Sequence, residues 1–506
     1  MIDGFSGMDR KIKLIENARE VLKDHHIIIA SNRGPIEHQV LQDGRFNARR
    51  GSGGVVTALS TLTDNLELTW ISSAMGEGDR KISQQHEGES IKSAIHGQTI
   101  SLRYVMTPRR VYHKFYNVFC NPLLWFLQHS MWSSTHTPNI DEIVYDAWTN
   151  GYVSVNQSFA DVIIEEANKT DKKKLIIVHD YHLYLAPGMI RERMTDALIQ
   201  YFLHVPWPDM NAWHMLPQSM RKPICESLLS ADILGFQTTK DARSFLQCCE
   251  MFVDGARVDY INNTVTFGEN ITRVKVYPLS IDTDELRSIA NTPRAKISED
   301  VLKQLLVEKN IVRIDRIEPS KNIVRGFRAY SLMLTRHPEL IGKVKFLAFL
   351  VPSRTHIRQY QRYIQEVEQS IHDVNNKFGN DSWKPIEVFY ENNYTQAIAA
   401  MKLYDVLLVN SIVDGMNLVA KEGPIVNEKD GVLIISETAG AYEQLKAASF
   451  SVSPTDIEGT AMAFYNAVTA TEADRSSWAA SLRDTISNED IFDCLNRQIE
   501  DIGQII

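Results

Sequence analysis

What this 506-residue chain lacks narrows its class first. No apolar run approaches the ~20 residues that a helix needs to cross a bilayer. The N-terminal stretch MIDGFSGMDRKIKLIENAREVLKDHH is charged, helical in character and without an apolar signal core. The five cysteines, at 120, 225, 248, 249 and 494, form no metal-ligand spacing, and the adjacent Cys248 and Cys249 make a poor disulfide pair. An odd cysteine count without a secretory signal fits a reducing compartment, so a cytoplasmic protein is expected. Positive charge is not in excess. The chain carries 54 Lys and Arg against 63 Asp and Glu, a formal net charge of −9. That argues against non-specific nucleic-acid binding. No tandem short repeat is visible. The expected partners are small molecules, with no nucleic acid and no membrane; homo-oligomerisation is left open.

What is present is ordinary for a globular protein, 44% hydrophobic and 23% charged, in a chain too long for a single compact core. Apolar runs at 26–30, 69–74, 174–183, 200–205, 231–237 and 273–281 read as strands of a first half. Runs at 310–316, 343–350, 386–390, 405–409 and 431–436 read as strands of a second. Amphipathic helices are expected over 8–24, 141–168, 356–377, 394–403 and 472–506. Residues 76–99 are polar and read as irregular; 116–126 read as partly helical; 284–310 read as linker and helix. Alternating strand and helix in both halves predicts an α/β protein with two parallel-sheet domains. Ligands of such sheets bind at strand C-terminal ends, here in a cleft between the domains.

Several strand ends carry chemistry. After 405–409 come Asp414-Gly415, a turn, and a helix-compatible run from Leu418 through Glu422. Outward N–H groups and the helix dipole there favour an anion, while Asp414 and Glu422 suit hydroxyls. Read alone, the stretch is slightly better explained as a βα connection with solvated carboxylates. After 310–316, Arg316 and Lys321 flank a turn restricted by Pro319, which favours a phosphate, most simply a pyrophosphate. Arg33 follows the first strand, where a surface arginine and an anion contact are equally good readings. Gly51, Gly53 and Gly54 precede a helix-like run and would admit phosphate to the backbone, although the pattern is neither GxGxxG nor a Walker loop. Asp180 and His204 end neighbouring strands. A lone histidine is more often structural, but two polar strand ends together point to function. Tyr116 and Trp125 lie in an aromatic run whose Phe119 and Leu123 are expected in the core; Tyr and Trp faces can also stack on sugars.

SNR at 31–33, YNxFxNxxLW at 116–125, HDYHL at 179–183, FLHVPWP at 202–208, the Arg316–Lys321 pair and DGMNLVAKE at 414–422 together resemble the trehalose-6-phosphate synthase family of retaining glycosyltransferases. The resemblance spans about residues 27–500. It implies a GT-B fold with two Rossmann-like domains facing a cleft. The domains would be an acceptor-binding one over 1–281 and a nucleotide-sugar-binding one over 282–482, with a C-terminal helix over 483–506 crossing back. It implies that Gly53 and Gly54 close over the donor phosphates and that Arg316 and Lys321 hold the pyrophosphate. The backbone from Gly415 and Met416 through Asn417, Leu418 and Val419 would support it. Asp414 would take donor-sugar hydroxyls, Glu422 the ribose, and His204 the donor sugar. Arg33, Tyr116, Trp125 and Arg354 would bind a phosphorylated acceptor and Asp180 its hydroxyls. The catalytic set would be His204, Arg316, Lys321 and Asp414. The implied mechanism is front-face attack with retention, the leaving phosphate taking the acceptor proton, with no metal. No cofactor is expected beyond a nucleotide-sugar co-substrate, UDP-glucose or its GDP or ADP counterpart.

The chain departs from the family pattern in places. Ser73 aligns where the family has an acceptor-pocket tryptophan. Ile-Glu-Pro-Ser-Lys-Asn replaces Leu-Asp-Tyr-Ser-Lys-Gly. These features, with WISSAMGEGDR at 70–80 and SETAGA at 436–441, are similar to the pseudo-glycosyltransferase branch that makes validoxylamine 7′-phosphate, whereas VAKE at 419–422 keeps the ordinary form. The leading expectation is glucosyl transfer to glucose 6-phosphate, giving trehalose 6-phosphate. The alternatives are another phosphorylated acceptor, a cyclitol phosphate or glycerol 3-phosphate, and a catalytically silent sugar-phosphate-sensing subunit.

Overall fold

A computed structural model describes residues 7–41, 43–50, 68–95, 98–132 and 138–506. The chain divides into two compact units, one holding Leu279–Asp493 and the other Asp9–Pro278 with Cys494–Ile506. The change of unit at 278/279 falls a few residues before the boundary expected from sequence. The helical stretch expected over 483–506 is the end of one helix, Glu472–Asn488, and a separate final helix, Ile491–Gly503.

Among the described residues, the unit built on Asp9–Pro278 contains twelve strands. They are β1 (His25–Ser31), β2 (Ile36–Val40), β3 (Phe46–Arg50), β4 (Leu68–Ser73), β5 (Ile91–Ile95), β6 (Gln98–Val105), β7 (Lys173–His179), β8 (Leu198–Phe202), β9 (Ile233–Phe236), β10 (Arg257–Asp259), β11 (Thr264–Phe267) and β12 (Asn270–Val276). Ten form one sheet in the order β10-β11-β12-β9-β8-β7-β1-β4-β6-β5, and β2 and β3 form a separate hairpin. Pairing is parallel from β12 through β6 and antiparallel at both edges. The central runs read as near-continuous Ile, Leu and Val because both faces of a parallel sheet are covered. Ile27, Ile28, Ile29, Leu175, Ile176 and Val178 are all buried. From β1 the chain steps outward through β4 to β6, then returns to β7 on the other side. The reversal leaves a crevice at the C-terminal ends of β1 and β7, where an open sheet receives ligands.

The other unit has β13 (Lys309–Ile317), β14 (Val344–Pro352), β15 (Ile386–Phe389), β16 (Val406–Val409), β17 (Val432–Ser436) and β18 (Phe450–Val452). These lie in the order β15-β14-β13-β16-β17-β18, every pair parallel. The period of two divides its side chains between two cores. Val312, Leu347, Leu407 and Leu433 enter one, and their neighbours Ile311, Phe346, Val406 and Ile434 enter the other. The switch in strand order falls between β13 and β16, so the segments after Ile317 and after Val409 share one crevice.

Of residues 76–99, read as irregular, the described ones, 76–95 and 98–99, are ordered. They form a helix, Glu77–Gln85, then β5 and the start of β6. The helix escaped the hydrophobic period because what it buries is Gly78, Asp79 and Ser83. Asp79 caps it by accepting from the Gly76 N–H at 2.9 Å and fastens it to the hairpin by accepting from the His38 N–H at 2.8 Å. A Cβ on Gly78 would lie 2.1 Å from the His38 carbonyl oxygen, so that approach requires glycine. The helix expected over 141–168 is interrupted by a π-helical stretch, Trp148–Val153, between Glu142–Ala147 and Ser154–Ala167. All five cysteines are buried and outside any disulfide. Among the described residues, no helix is long and apolar enough to cross a membrane.

Candidate active site

In the second unit the segment after β13 makes one 3₁₀ turn, Pro319–Lys321, and enters the helix Ile323–Arg336 through Asn322 in the left-handed region, φ 58° and ψ 36°. Two backbone carbonyls fix that residue. The Asn322 amide donates to Asn410 O at 2.9 Å and Pro454 O at 2.6 Å. The Ile412 N–H donates to Ser320 O at 2.7 Å, so the segments after β13 and β16 are stitched together.

Lys321 and Asp414 meet across this seam, Nζ to Oδ2 at 2.5 Å, with only 12% and 14% of their side chains exposed. The same carboxylate oxygen accepts from Ser411 Oγ at 3.0 Å and Asn417 Nδ2 at 2.9 Å. Burial pulls the Lys321 pKa down, but the attraction of Asp414 and Asp315 outweighs it and the pKa ends above its ordinary value. Beneath them Arg313, fully buried in β13, donates to Asp315 Oδ2 at 2.7 Å and to Lys321 O at 2.9 Å. Burial raises the Asp315 pKa in spite of both cations.

Arg316 lies on the exposed side of this turn. Its Nη1 is 3.4 Å from Glu318 Oε1, and Nη1 of Arg354 is 3.6 Å from the same oxygen. Glu318 is 1% exposed and also accepts from Ser353 Oγ at 3.0 Å. Arg354 sits in the left-handed region at φ 46° and donates to the Tyr360 hydroxyl at 2.5 Å. The structure thus gathers Arg316 and Arg354, which the sequence places on separate strands, around one buried carboxylate.

The stretch after Asp414 turns tightly. Gly415, Met416 and Asn417 are buried, Asn417 has φ 64°, and the helix Val419–Val426 follows with Leu418 at its N-cap. Leu418 and Val419 therefore carry first-turn N–H groups, the kind that receive an anion. Glu422 is half-buried on that helix and accepts from the Tyr394 hydroxyl at 3.1 Å; burial raises its pKa.

In the first unit Arg33 is exposed just beyond β1. Tyr116 rides on a π-helical stretch, Lys114–Leu124, and stacks between Tyr112 at 5.6 Å and His182 at 5.9 Å. Single-turn π distortions recur at functional sites because they re-aim a side chain. Trp125 is only 2% exposed and stacks on His129 at 4.0 Å. Asp180 follows β7 at φ 73° and ψ 160°, a region that essentially only glycine occupies. Its conformation is pinned by its N–H donating to Phe202 O at 2.9 Å and by the Tyr201 hydroxyl donating to its carbonyl at 2.5 Å. His204 Nε2 lies 3.1 Å from His179 Nδ1. Burial lowers the His179 pKa to about 3, and burial followed by His179 lowers that of His204. Two neutral imidazoles so joined form one donor–acceptor pair. Ser73 is 3% exposed, its hydroxyl donating to Asn32 Oδ1 at 2.9 Å beside the Tyr112 hydroxyl at 3.2 Å. Gly53 and Gly54 lie outside the described residues.

Sequence reasoning passed over Glu318 as an anchor, the Arg313–Asp315 pair and His179. Arg313 and Asp315 left a signal, two opposite charges spaced by two in an apolar strand, hence on one face. Glu318 left none, since a carboxylate beside a proline reads as a solvated turn. No group of three or more His, Cys, Asp or Glu among the described residues is placed to hold a metal.

The description of glycosyltransferase family 20 matches residues 25–504. A Dictyostelium discoideum alpha,alpha-trehalose-phosphate synthase [UDP-forming] A is 32% identical over 87% of this chain, which spans 57% of that relative. An Aspergillus niger alpha,alpha-trehalose-phosphate synthase [UDP-forming] 2 is 31% identical over 89% of this chain and 91% of its own length. A Streptomyces hygroscopicus validamine 7-phosphate valienyltransferase is 28% identical over 90% of each. Among solved structures, the E. coli trehalose-6-phosphate protein bound with UDP-2-fluoro glucose superposes with a TM-score of 0.81 at 25% identity, covering 95% of this chain and 99% of that one. The two parallel-sheet units are those of the GT-B fold, and the chain belongs to glycosyltransferase family 20.

Proposed function

We propose that this chain transfers glucose with retention from a nucleotide sugar of the UDP-glucose class to glucose 6-phosphate, forming trehalose 6-phosphate and the nucleoside diphosphate. The carrying observation is the junction of Lys321 with Asp414 at the switch point of the second sheet, beside Arg316 and the first turn of the helix Val419–Val426. A cation pair and a helix N-terminus suit a pyrophosphate that gains charge as its bond to the sugar breaks. Arg316 and Lys321 stabilise that leaving group and the backbone from Gly415 through Val419 supports it; Gly53 and Gly54, outside the described residues, are assigned to the donor phosphates. Asp414 and His204 take donor-sugar hydroxyls and Glu422 the ribose. His204, being neutral, can donate or accept without adding charge. Arg33, Tyr116, Trp125 and Arg354 bind the phosphorylated acceptor and Asp180 accepts from its hydroxyls. No cofactor is assigned beyond the nucleotide sugar. The names of the Dictyostelium and Aspergillus relatives support UDP as the product nucleotide.

A second reading, transfer to another phosphorylated acceptor such as a cyclitol phosphate, draws on the likeness to the valienyltransferase and on Ser73, whose small side chain is turned to Asn32. Purified protein incubated with UDP-, GDP- or ADP-glucose and glucose 6-phosphate should release the diphosphate and trehalose 6-phosphate. Release only with a different phosphorylated acceptor selects the second reading. No release with any donor and acceptor pair overturns both.

A further inference from the structure

At the opposite edge of the second sheet from Lys321 and Asp414, a depression of about 650 Å³ opens beneath the N-terminal ends of β14 and β15. Its lining includes Lys345, Asn376, Asn380, Trp383, Lys384 and Glu387. The walls are pre-built. Asn375, near the end of the helix Arg358–Phe378, accepts from Ile386 N at 2.8 Å and donates to Ile386 O at 3.0 Å. Asn380 Oδ1 accepts from Ser382 N at 2.9 Å, Ser382 Oγ at 2.8 Å and Trp383 N at 2.9 Å, knotting the following loop. The Tyr330 hydroxyl donates to Val344 O at 2.7 Å and steadies the floor.

Into this depression reaches Lys345, 8% exposed. Among the described residues, no hydrogen bond or ion pair is made to its ammonium group. The carboxylate best placed to compensate it, Glu387, is already paired with Lys384 at 3.2 Å. Asp381 also lines the rim. The stem of Lys345 is covered and its ammonium is the part that meets the depression; partial desolvation together with Lys384 lowers its pKa while Glu387 offsets part of this. The desolvation is offset when an anionic oxygen enters from solvent. Amide side chains and an indole wall favour a polar organic body over a bare ion.

We propose that this depression is a second ligand site, separate from the transfer site, that binds a small hydroxylated metabolite through a phosphate or carboxylate held by Lys345. The test is competitive acetylation of the full-length protein at mildly alkaline pH, read by peptide mass spectrometry, with Lys240, an exposed lysine of the other unit, as internal reference. Inorganic phosphate, glycerol 3-phosphate and citrate serve as probes. Each unit by which a bound anion raises the Lys345 pKa cuts its free-amine fraction about tenfold, so labelling of Lys345 should fall several-fold while that of Lys240 is unchanged. Protection by the phosphates alone assigns a phosphate ligand, and protection by citrate alone a carboxylate. The protecting probe should raise the melting temperature of wild type and not of Lys345→Met, whose turnover should match wild type. Unchanged labelling of Lys345 with every probe, or an equal thermal shift in Lys345→Met, overturns the proposal.

Discussion

Lys321 Nζ and Asp414 Oδ2 lie 2.5 Å apart across the gap between β13 and β16, and the same carboxylate oxygen is also held by Ser411 and Asn417. This pair locks two strand-end segments into one surface. It also keeps the Lys321 ammonium charged where a leaving pyrophosphate would need it.

Replacing Lys321 by alanine should therefore cost both chemistry and order. Loss of a cation aimed at developing charge should lower kcat about a hundredfold or more. The stranded Asp414 should lower stability by ~1–3 kcal/mol. Asp414→Asn keeps the shape and one acceptor oxygen for the loop but removes the charge that holds the lysine, so it should lose rate with a smaller loss of stability. The raised Lys321 pKa contributes stability that is present below its unfolded value, about 10.4, and is lost as pH rises through the higher folded value. Steady-state kinetics with denaturant melts of both variants check this. A Lys321→Ala enzyme with near-normal kcat would remove the assignment.

Glu318 gives a second prediction, because Arg316 and Arg354 share its Oε1. Glu318→Gln keeps the shape and the bond from Ser353 but weakens the hold on both arginines. Under the proposed assignment Arg316 faces the donor and Arg354 the acceptor. The variant should then raise KM for both substrates severalfold, about 1 kcal/mol each, whereas Arg354→Ala should raise mainly the acceptor KM. An effect of Glu318→Gln on one substrate only would show that the two arginines are not positioned in common.

The sheets were legible because their strands are buried on both faces and so read as continuous apolar runs, as at Ile27–Ile29 and Leu407–Val409. The turn after β16 was legible too, since Asp414-Gly415 is turn chemistry next to such a run; that Asp414 is paired with Lys321 and not solvated was not legible. The helix Glu77–Gln85 was not, because its buried face is made of glycine and a capping aspartate instead of apolar side chains. Glu318 was invisible for a related reason. Whether a carboxylate beside a proline is solvated or buried between two arginines depends on Ser353 and Arg354, which arrive from the end of another strand. The roles proposed for Arg33, Tyr116 and Asp180 rest on the combined motif pattern, not on any local property of those residues.

The His179–His204 contact makes a prediction about pH. A histidine whose folded pKa is depressed contributes stability that is present above its unfolded pKa and lost as pH falls toward the folded one. For His179 that window runs from 6.5 down to about 3. Unfolding free energy should fall between pH 6.5 and 5, with one such group contributing up to ~1.4 kcal/mol per pH unit. His179→Gln should make that dependence shallower. Urea melts at pH 7, 6 and 5 measure it, and parallel slopes for wild type and variant would show that the imidazole is not held neutral. The proton signals of a ¹³C-labelled His179 ring should likewise stay fixed over the same range.

Asp180 sits at φ 73° and ψ 160° with a carboxylate directed by that backbone. A non-glycine residue in this region costs about 1–3 kcal/mol, sustained by the surroundings. Those surroundings are visible in the Asp180 N–H bond to Phe202 O and the Tyr201 hydroxyl bond to its carbonyl. Two substitutions separate backbone strain from side-chain chemistry. Asp180→Asn removes the charge and keeps the strain; Asp180→Gly removes both. If the carboxylate binds acceptor hydroxyls, both variants should lose acceptor affinity, with kcat/KM falling tenfold or more, about 1.4 kcal/mol. Only Asp180→Gly should melt at higher temperature than Asp180→Asn, because relief of strain exceeds the ~0.5–1 kcal/mol of added chain entropy. Equal melting temperatures would mean that this backbone stores no strain. Full activity in Asp180→Gly would mean that the strained geometry presents something other than the carboxylate.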